Sequence, residues 1–203
     1  MSGTSLVLEF AVQTVGPLRV PVLQAPMAGS RPLLPGATVK GAARRSAAAI
    51  ATVLGLPPCR GDGDPRCSLC RLFGAAGVAG AVHWSAATLA EAGHPTRWPD
   101  ILDARRRHPV DRALGLSAGP PLPTRLAFPA GLRFQASLDG WLAGDGRADA
   151  ALLAAALLRL PYVGGGNAAG FGRVSVAISR LRLAEETQDV DALLDSLLPQ
   201  EVV

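Results

Sequence analysis

The chain has 203 residues, 49% of them hydrophobic, and a formal net charge of +4 at pH 7. This composition excludes an intrinsically disordered protein, and the length predicts one domain with room for insertions. Of the 20 basic residues, only Lys40 is a lysine. The arginines favour a phosphate-bearing partner without identifying one, since a GC-rich genome produces the same bias.

Three features predict a cytoplasmic protein that contacts no membrane. The N-terminus lacks the basic stretch and the small-residue cleavage site of a signal peptide. The longest apolar run, residues 150–158, is too short to cross a bilayer. The three cysteines are an odd number, which argues against a framework of disulfides.

In chain order, the first predicted element is a strand over residues 6–12, where apolar side chains alternate with other residues. A proline-rich loop follows from residue 14 to residue 35. It is longer than most connections, so we expect it to be functional or mobile. Between Gln13 and Leu34 the sequence contains no Asp or Glu.

A helix is predicted next, with Thr38 as its N-cap and an apolar stripe that ends at Leu54. Lys40, Arg44 and Arg45 then lie in its first two turns, where positive charges oppose the helix dipole unless an anion binds there. We therefore expect an anion at this helix start. The alternative is a solvated basic face.

Residues 56–75 form a predicted insertion that contains every cysteine of the chain. Cys59, Cys67 and Cys70 lie in a turn rich in Gly and Pro and resemble a zinc knuckle, so we predict a structural zinc ion. The alternative is a set of reduced thiols without a metal. Four ligands are usual, and the candidates for the fourth are His83, His94 and His108.

A polar excursion with several prolines is predicted over residues 91–124. It carries the densest basic cluster of the chain, from Arg105 to Arg112, which fits either a solvated arm or a grip on a polyanion. A strictly alternating strand follows over residues 132–139.

The most informative stretch runs from Tyr162 to Val176, between a helix predicted over residues 152–160 and a strand. Its glycines follow a helix instead of preceding one, which argues against a dinucleotide-binding loop. Dense glycines let backbone amides approach a ligand closely, and Arg173 adds a positive charge, so we expect the backbone of a polyanion here. The alternative is a glycine-rich helix C-cap.

Together the elements predict an α+β fold with a ferredoxin-like (RRM-like) βαββαβ core and large insertions. We expect a single domain over residues 1–203, with insertions at about residues 56–75 and about residues 91–124. A short helix capped by Asp189 is predicted near the C-terminus.

Four stretches resemble motifs of the RAMP superfamily of CRISPR-associated proteins. Leu34-Pro-Gly-Ala-Thr-Val-Lys-Gly41 is similar to the family's Pro-Gly-Ser-Ser-Leu-Lys-Gly motif. Cys67-Ser-Leu-Cys-Arg-Leu-Phe-Gly74 resembles a Cys-x-x-Cys-x-Leu-Phe-Gly segment of its type III members, and residues 164–174 resemble its C-terminal glycine-rich loop. His108-Pro-Val-Asp-Arg112 is similar to the stretch that precedes, in the family, an arm reaching over the guide RNA.

The chain most resembles the backbone subunit of type III and type IV effector complexes, which are ribonucleoproteins of antiviral defence. The resemblance implies that copies of the chain or related RAMP subunits assemble along a CRISPR guide RNA and act on a target nucleic acid. Contact with the guide backbone would then fall to Lys40, Gly41, Arg44, Arg45, Arg112, Gly165, Gly166, Gly170 and Arg173.

Active members of the family cut target RNA with an aspartate in the loop after the first strand. That loop here, Gln13 to Leu34, has no carboxylate to hold a divalent metal, so we expect an RNA-binding subunit that is not itself a nuclease. One alternative is a metal-dependent endoribonuclease subunit with its carboxylate elsewhere, although no motif assigns that role to Asp62 or Asp64. Another is a zinc-stabilised protein-interaction module that binds no RNA.

Overall fold

A computed structural model describes residues 3–19, 27–28, 31–90, 103–107, 110–117, 119 and 122–198 of the chain. Within these ranges, no helix combines the length and the apolar character that crossing a membrane requires.

The strands and α-helices of this part of the chain are labelled here in chain order. The strands are β1 Gly3–Thr14, β2 Met27–Ala28, β3 Arg31–Leu34, β4 Val82–Trp84, β5 Ala87–Leu89, β6 Asp103–Arg107, β7 Val110–Asp111, β8 Leu116–Ser117, β9 Leu122–Ala127, β10 Arg133–Ala143, β11 Val174–Leu183 and β12 Glu186–Thr187. The helices are α1 Gly36–Val53, α2 Ser68–Phe73, α3 Arg147–Leu158 and α4 Val190–Asp195.

The main sheet is antiparallel and has the strand order β12-β11-β1-β10-β5-β3-β2. Strands β4 and β5 both pair with β10, along successive stretches of the same side of that strand. The chain order β1, α1, β4/β5, β10, α3, β11 and the spatial order β11-β1-β10-β4/β5 are those of a split βαββαβ unit. The predicted α+β ferredoxin-like fold is confirmed.

One face of this sheet forms the core with α1 and α3. Alternation in β1 and β10 directs every second side chain to that face, as the period of two predicts. The large apolar side chains that the two strands bury there are Leu6, Leu8, Phe10, Val12, Phe134, Leu138 and Leu142.

Strand β11 buries different alternate residues at its two ends. Val174 is buried near its start, whereas Leu181 and Leu183 are buried near its end, so the buried positions switch from even to odd numbers. A register shift against β1 between Glu9 and Phe10 accounts for the switch, because a β-bulge adds one residue to one strand.

Helix α1 begins at Gly36, so the prediction of Thr38 as its N-cap is wrong. Pro35 occupies the N-cap position without a side-chain bond, and the Thr38 amide donates to the Pro35 carbonyl at 2.9 Å. The cause is tertiary: a Cβ on Gly36 would lie 2.3 Å from the carbonyl oxygen of Trp84. Because the helix starts earlier, Arg44 and Arg45 lie beyond its first two turns, where the helix dipole no longer disfavours them, and Lys40 alone of the three predicted residues remains within those turns.

Helix α3 is buried over most of its surface, including Leu152, Leu153 and Leu157. It packs against α1, α4 and β11 and is therefore the central helix of the core. Helix α4 begins after Asp189, whose side chain accepts from the Asp191 amide at 2.9 Å, so this predicted cap is confirmed.

The basic excursion contains two small antiparallel pairs apart from the main sheet, β6 with β9 and β7 with β8. Arg105 lies in β6, and Arg112 is exposed in the turn between β7 and β8. His94 and His108 fall outside the described residues.

Candidate nucleic-acid interface and metal site

The first predicted contact surface is the outer side of α1. Arg45 is exposed and Lys40 is half-buried. A Cβ on Gly41 would meet no atom within 4 Å, in contrast to Gly36 on the same helix. The surface around Gly41 is therefore open to a ligand.

Arg44 differs from its neighbours because it already makes two contacts inside the protein. Its Nη1 donates to the Gly74 carbonyl, and its Nη2 lies 3.7 Å from the Cys59 sulfur. Arg44 thus joins α1 to the cysteine insertion. A guanidinium has five N–H groups, so three remain for other acceptors.

The glycine-rich loop between α3 and β11 has an inner side that packs on the segment after β1. A Cβ on Gly164 would lie 2.2 Å from the Arg19 carbonyl oxygen, and Gly164 has a φ of 80°. The Gly165 amide donates to the same carbonyl at 2.9 Å, and the Gly172 amide donates to the Pro17 carbonyl at 2.8 Å. Close packing therefore requires glycine on this side, whatever the loop binds.

The outer side of the same loop is open. A Cβ on Gly170 would meet no atom within 4 Å, and Arg173 is exposed. The Arg173 carbonyl accepts from the amides of Val15 and Gly16, which fixes the position of this residue at the start of β11.

Helix α1 and the glycine-rich loop meet at one groove of about 810 Å³, which we call the helix groove. The two predicted surfaces adjoin there, because Arg45 and Asn167 both line it. Ser46 on α1 also donates to the Arg159 carbonyl at 3.3 Å, which holds α1 against the end of α3. Arg159, Tyr162 and Asn167 were not predicted from the sequence, although Tyr162 is the only tyrosine and directly precedes the glycines.

The three cysteines form the second site. Cys67 is the N-cap of α2, Cys70 lies within α2, and Cys59 lies in the segment without regular structure that precedes it. Their sulfur atoms all lie within 4.8 Å of one another, with Cys59 and Cys70 separated by 3.4 Å. Tetrahedral zinc with Zn–S bonds of about 2.3 Å requires sulfurs about 3.8 Å apart. The cluster can therefore hold a metal ion.

Two of the thiols differ in acidity. Burial acts to raise the pKa of Cys59, but hydrogen bonds from Cys70, the Gly61 backbone, Cys67 and Arg44 outweigh it and leave this pKa below its ordinary value. The pKa of Cys70 is raised, first by its hydrogen bond to Cys59 and then by burial. Cys59 therefore ionises before Cys70, and the thiolate is the form that binds metals.

His83 does not complete the cluster. It is exposed on β4, and its Nδ1 lies 3.4 Å from the Asp139 carboxylate. Among the residues that the structure describes, the metal-ligand group contains the three cysteines alone.

A second connection anchors the insertion to the core. Asp149 of α3 accepts from Arg71 Nε at 3.0 Å and from Arg71 Nη2 at 2.6 Å. The Asp149 side chain is 7% exposed, and this pairing raises the pKa of Arg71. The signal in the sequence was an aspartate within an otherwise apolar helix, but nothing there identified its partner.

The two aspartates of the insertion make local contacts. Asp62 accepts from the Asp64 amide at 3.2 Å, and Asp64 accepts from the amide and the guanidinium of Arg66. Both carboxylates border a cavity on the side of the insertion that faces Leu56 and Pro57, distinct from the helix groove.

Comparison with known protein families agrees with the fold and with the order of the motifs. A family model of the RAMP superfamily matches residues 12–175, which include α1, the cysteine insertion and the glycine-rich loop. Comparison with curated proteins finds no match. RAMP proteins generally bind CRISPR RNA and work in complexes of several subunits. With its antiparallel βαββαβ core and a match over most of its length, the chain belongs to the RAMP superfamily of CRISPR-associated proteins.

Proposed function

We propose that the chain is a structural subunit of an RNA-guided effector complex and binds the backbone of a CRISPR guide RNA. The observation that carries this proposal is the meeting of α1 and the glycine-rich loop at the helix groove. Arg45 of α1 and Asn167 of the glycine-rich loop thereby adjoin in space, although more than 100 residues separate them in the sequence.

Of the proposed cationic contacts, Arg45 lines this groove together with the Asp195 carboxylate, whereas Lys40 and Arg173 lie outside its lining. In the part of the chain that the structure describes, Lys40, Arg45 and Arg173 take part in no ion pair. Phosphates supply the missing negative charge, and the release of their counterions provides much of the binding free energy. Such contacts carry no base specificity, which suits a protein that must accept guides of any sequence.

The proposed contacts fall into two classes. Cationic side chains contact phosphates directly, and Arg44 does so with the N–H groups that Gly74 and Cys59 leave available. The glycines let the RNA approach the loop closely. Gly165 contributes only through its lack of a side chain, because its amide already donates to the Arg19 carbonyl. The full set is Lys40, Gly41, Arg44, Arg45, Arg112, Gly165, Gly166, Gly170 and Arg173.

Within the complex, we infer the position of a backbone subunit of type III or type IV. Copies of this chain or related RAMP subunits would follow one another along the guide, and the complex would act on a target nucleic acid in antiviral defence. The exposed Arg112, in the hairpin of β7 and β8, would contact the RNA from the basic excursion.

We also infer one structural zinc ion bound by Cys59, Cys67 and Cys70. Zinc would order residues 59–74, because this segment contains few buried apolar side chains before α2. Water, or a histidine from residues outside the described ranges, would complete four-coordination.

RNA binding is tested with single-stranded RNA by fluorescence anisotropy over a range of salt concentrations. Lys40→Ala and Arg173→Ala should each weaken binding equally for all sequences and flatten the salt slope by about one unit per lost phosphate contact. Arg147→Ala removes the same charge from the opposite end of α3, where Arg147 contacts Gln188, and should leave the affinity unchanged. An equal loss of RNA affinity in all three variants would contradict a defined interface.

The nuclease alternative is tested with an assembled complex, complementary RNA and Mg²⁺. We expect no cuts at positions that face this subunit, because the loop from Gln13 to Leu34 offers no carboxylate for a metal. Cuts that disappear in Asp62→Ala or Asp64→Ala would place catalysis in the insertion and would support the endoribonuclease hypothesis. Cuts that survive both substitutions would require a carboxylate elsewhere in the chain.

A further inference from the structure

Two of the three clustered thiols are in direct contact. The Cys59 and Cys70 sulfurs are separated by 3.4 Å, and Cys67 lies within 4.8 Å of both. A disulfide bond is about 2.0 Å long, so the Cys59 and Cys70 sulfurs need to approach by only about 1.4 Å to form one. These two cysteines are 11 positions apart in the chain, so the fold brings their sulfurs together.

The segment that carries Cys59 can supply this small movement. It has no regular structure, and residues 55–62 are exposed except for Cys59 itself. Within the described part of the chain, the Cys59 backbone makes no hydrogen bond. A Cβ on Gly61 would meet no atom within 4 Å, so there is open space beside the segment. Cys70 is buried in α2, and its carbonyl accepts from the Gly74 amide at 2.8 Å. Cys59 can therefore move towards a fixed Cys70.

The two thiols differ in their access to solvent, which sets the order of their reactions. Cys59 is half-buried, whereas Cys70 is buried. A small oxidant such as hydrogen peroxide therefore reaches Cys59 first. The Cys59 sulfur attacks one peroxide oxygen, an S–O bond forms as the O–O bond breaks, and the products are a sulfenic acid and water.

A second step closes the disulfide. The Cys70 sulfur attacks the sulfenic sulfur of Cys59, the S–S bond forms, and the S–O bond breaks. The hydroxyl group leaves as water with the proton of the Cys70 thiol. The two thiols together lose two electrons, and the peroxide is reduced to two molecules of water. Because the Cys70 sulfur is 3.4 Å away, this step precedes further oxidation of the sulfenic acid.

We propose that Cys59 and Cys70 form a redox-modification site that peroxide closes to a disulfide, while Cys67 remains a free thiol. The disulfide consumes two of the three sulfurs that could hold a metal, so oxidation expels a bound metal ion and replaces it with a covalent link in the insertion. Because Cys59 also contacts Arg44 at 3.7 Å, the same reaction alters the connection between the insertion and α1. The proposal requires neither RNA binding nor a resident metal.

Peptide mapping of the oxidised full-length protein identifies the pair without any substitution. Trypsin cleaves after arginine and separates residues 46–60, which carry Cys59, from residues 67–71, which carry Cys67 and Cys70. After mild treatment with hydrogen peroxide, we expect a disulfide between these two peptides, a loss of about 2 Da per chain that dithiothreitol reverses, and one thiol that still reacts with an alkylating reagent. A disulfide closed within residues 67–71, or a sulfinic acid without any disulfide, would overturn the proposal.

Further cleavage after Leu69 by chymotrypsin decides which cysteine of the second peptide takes part. We expect the Cys59 peptide to remain joined to Cys70, and a link to residues 67–69 would refute the pairing. Cys67→Ser is the matched control and should form the same disulfide at a similar rate. Oxidation in guanidinium chloride should give a mixture of pairings; the same mixture from folded protein would mean that the fold does not select the pair. Protein that carries zinc should release it as the disulfide forms, and retention of zinc by the oxidised protein would contradict the exchange.

Discussion

Asp149→Asn is the substitution that best tests how the insertion is held to the core. The amide keeps the size of the side chain but removes its charge. Its NH₂ group would replace one of the two oxygens that accept from the Arg71 guanidinium. Breaking a fully buried ion pair costs about 3–5 kcal/mol, whereas exposed pairs contribute about 0–1 kcal/mol. Asp149 is 7% exposed but Arg71 is 30% exposed, so water can partly solvate the abandoned cation. We therefore expect a loss of about 2–3 kcal/mol.

Urea unfolding monitored by circular dichroism measures this loss. The midpoint should fall while the m value is unchanged, and the melting temperature should drop by about 5–10 °C for a chain of this size. Asp64→Asn is the matched control, because its partner Arg66 is 90% exposed, and it should change little. A loss of stability in Asp149→Asn no larger than in Asp64→Asn would refute the claim that this pair anchors the insertion.

Four further substitutions test other parts of the structure by thermal melting and metal analysis. Gly36→Ala should destabilise the protein by about 1–3 kcal/mol, because its Cβ would collide with the Trp84 carbonyl. Gly41→Ala meets no such obstacle, so it should stabilise the helix by about 0.5–1 kcal/mol while weakening RNA binding. Gly172→Ala should cost about 2–4 kcal/mol, since it combines a φ of 80° with a backbone contact of 2.1 Å. Wild-type protein should contain about one zinc per chain and Cys67→Ser almost none; an unchanged zinc content would refute the site.

The elements that the sequence predicted well are those whose pattern is local. The strands β1 and β10 alternate because each has one buried face, and α3 is apolar because it is enclosed on most sides. The cap at Asp189 was also predictable, since a carboxylate two residues before a helical amide satisfies it directly.

The start of α1 was mispredicted because a tertiary contact decides it. Thr38 is a better capping residue than Pro35 in isolation. Gly36 nevertheless belongs to the helix, because its missing side chain lets α1 rest against the backbone of β4 at Trp84. No pattern within the helix reveals that contact.

Within the candidate sites, proximity in sequence decided what could be foreseen. The three cysteines lie within twelve residues, and their cluster was predicted. The bond between Arg71 and Asp149 spans 78 positions, and Arg44 reaches Gly74 across 30. Both arginines belong to recognisable motifs, but their partners depend on how the insertion folds back on the core.

These long-range bonds connect the insertion to two helices of the core, α1 and α3. Arg44 joins it to α1, and Arg71 joins it to α3, which leads directly into the glycine-rich loop. A metal ion that fixed the cysteine sulfurs would therefore act through Arg44 on α1 and through Arg71 on the start of α3, although no cysteine lines the helix groove. Under the proposed function, metal and RNA would favour the same arrangement, so each should raise the affinity for the other. Chelation should accordingly weaken RNA binding by wild-type protein and leave Cys67→Ser unaffected. An equal response of the two proteins would mean that the insertion folds independently of the metal.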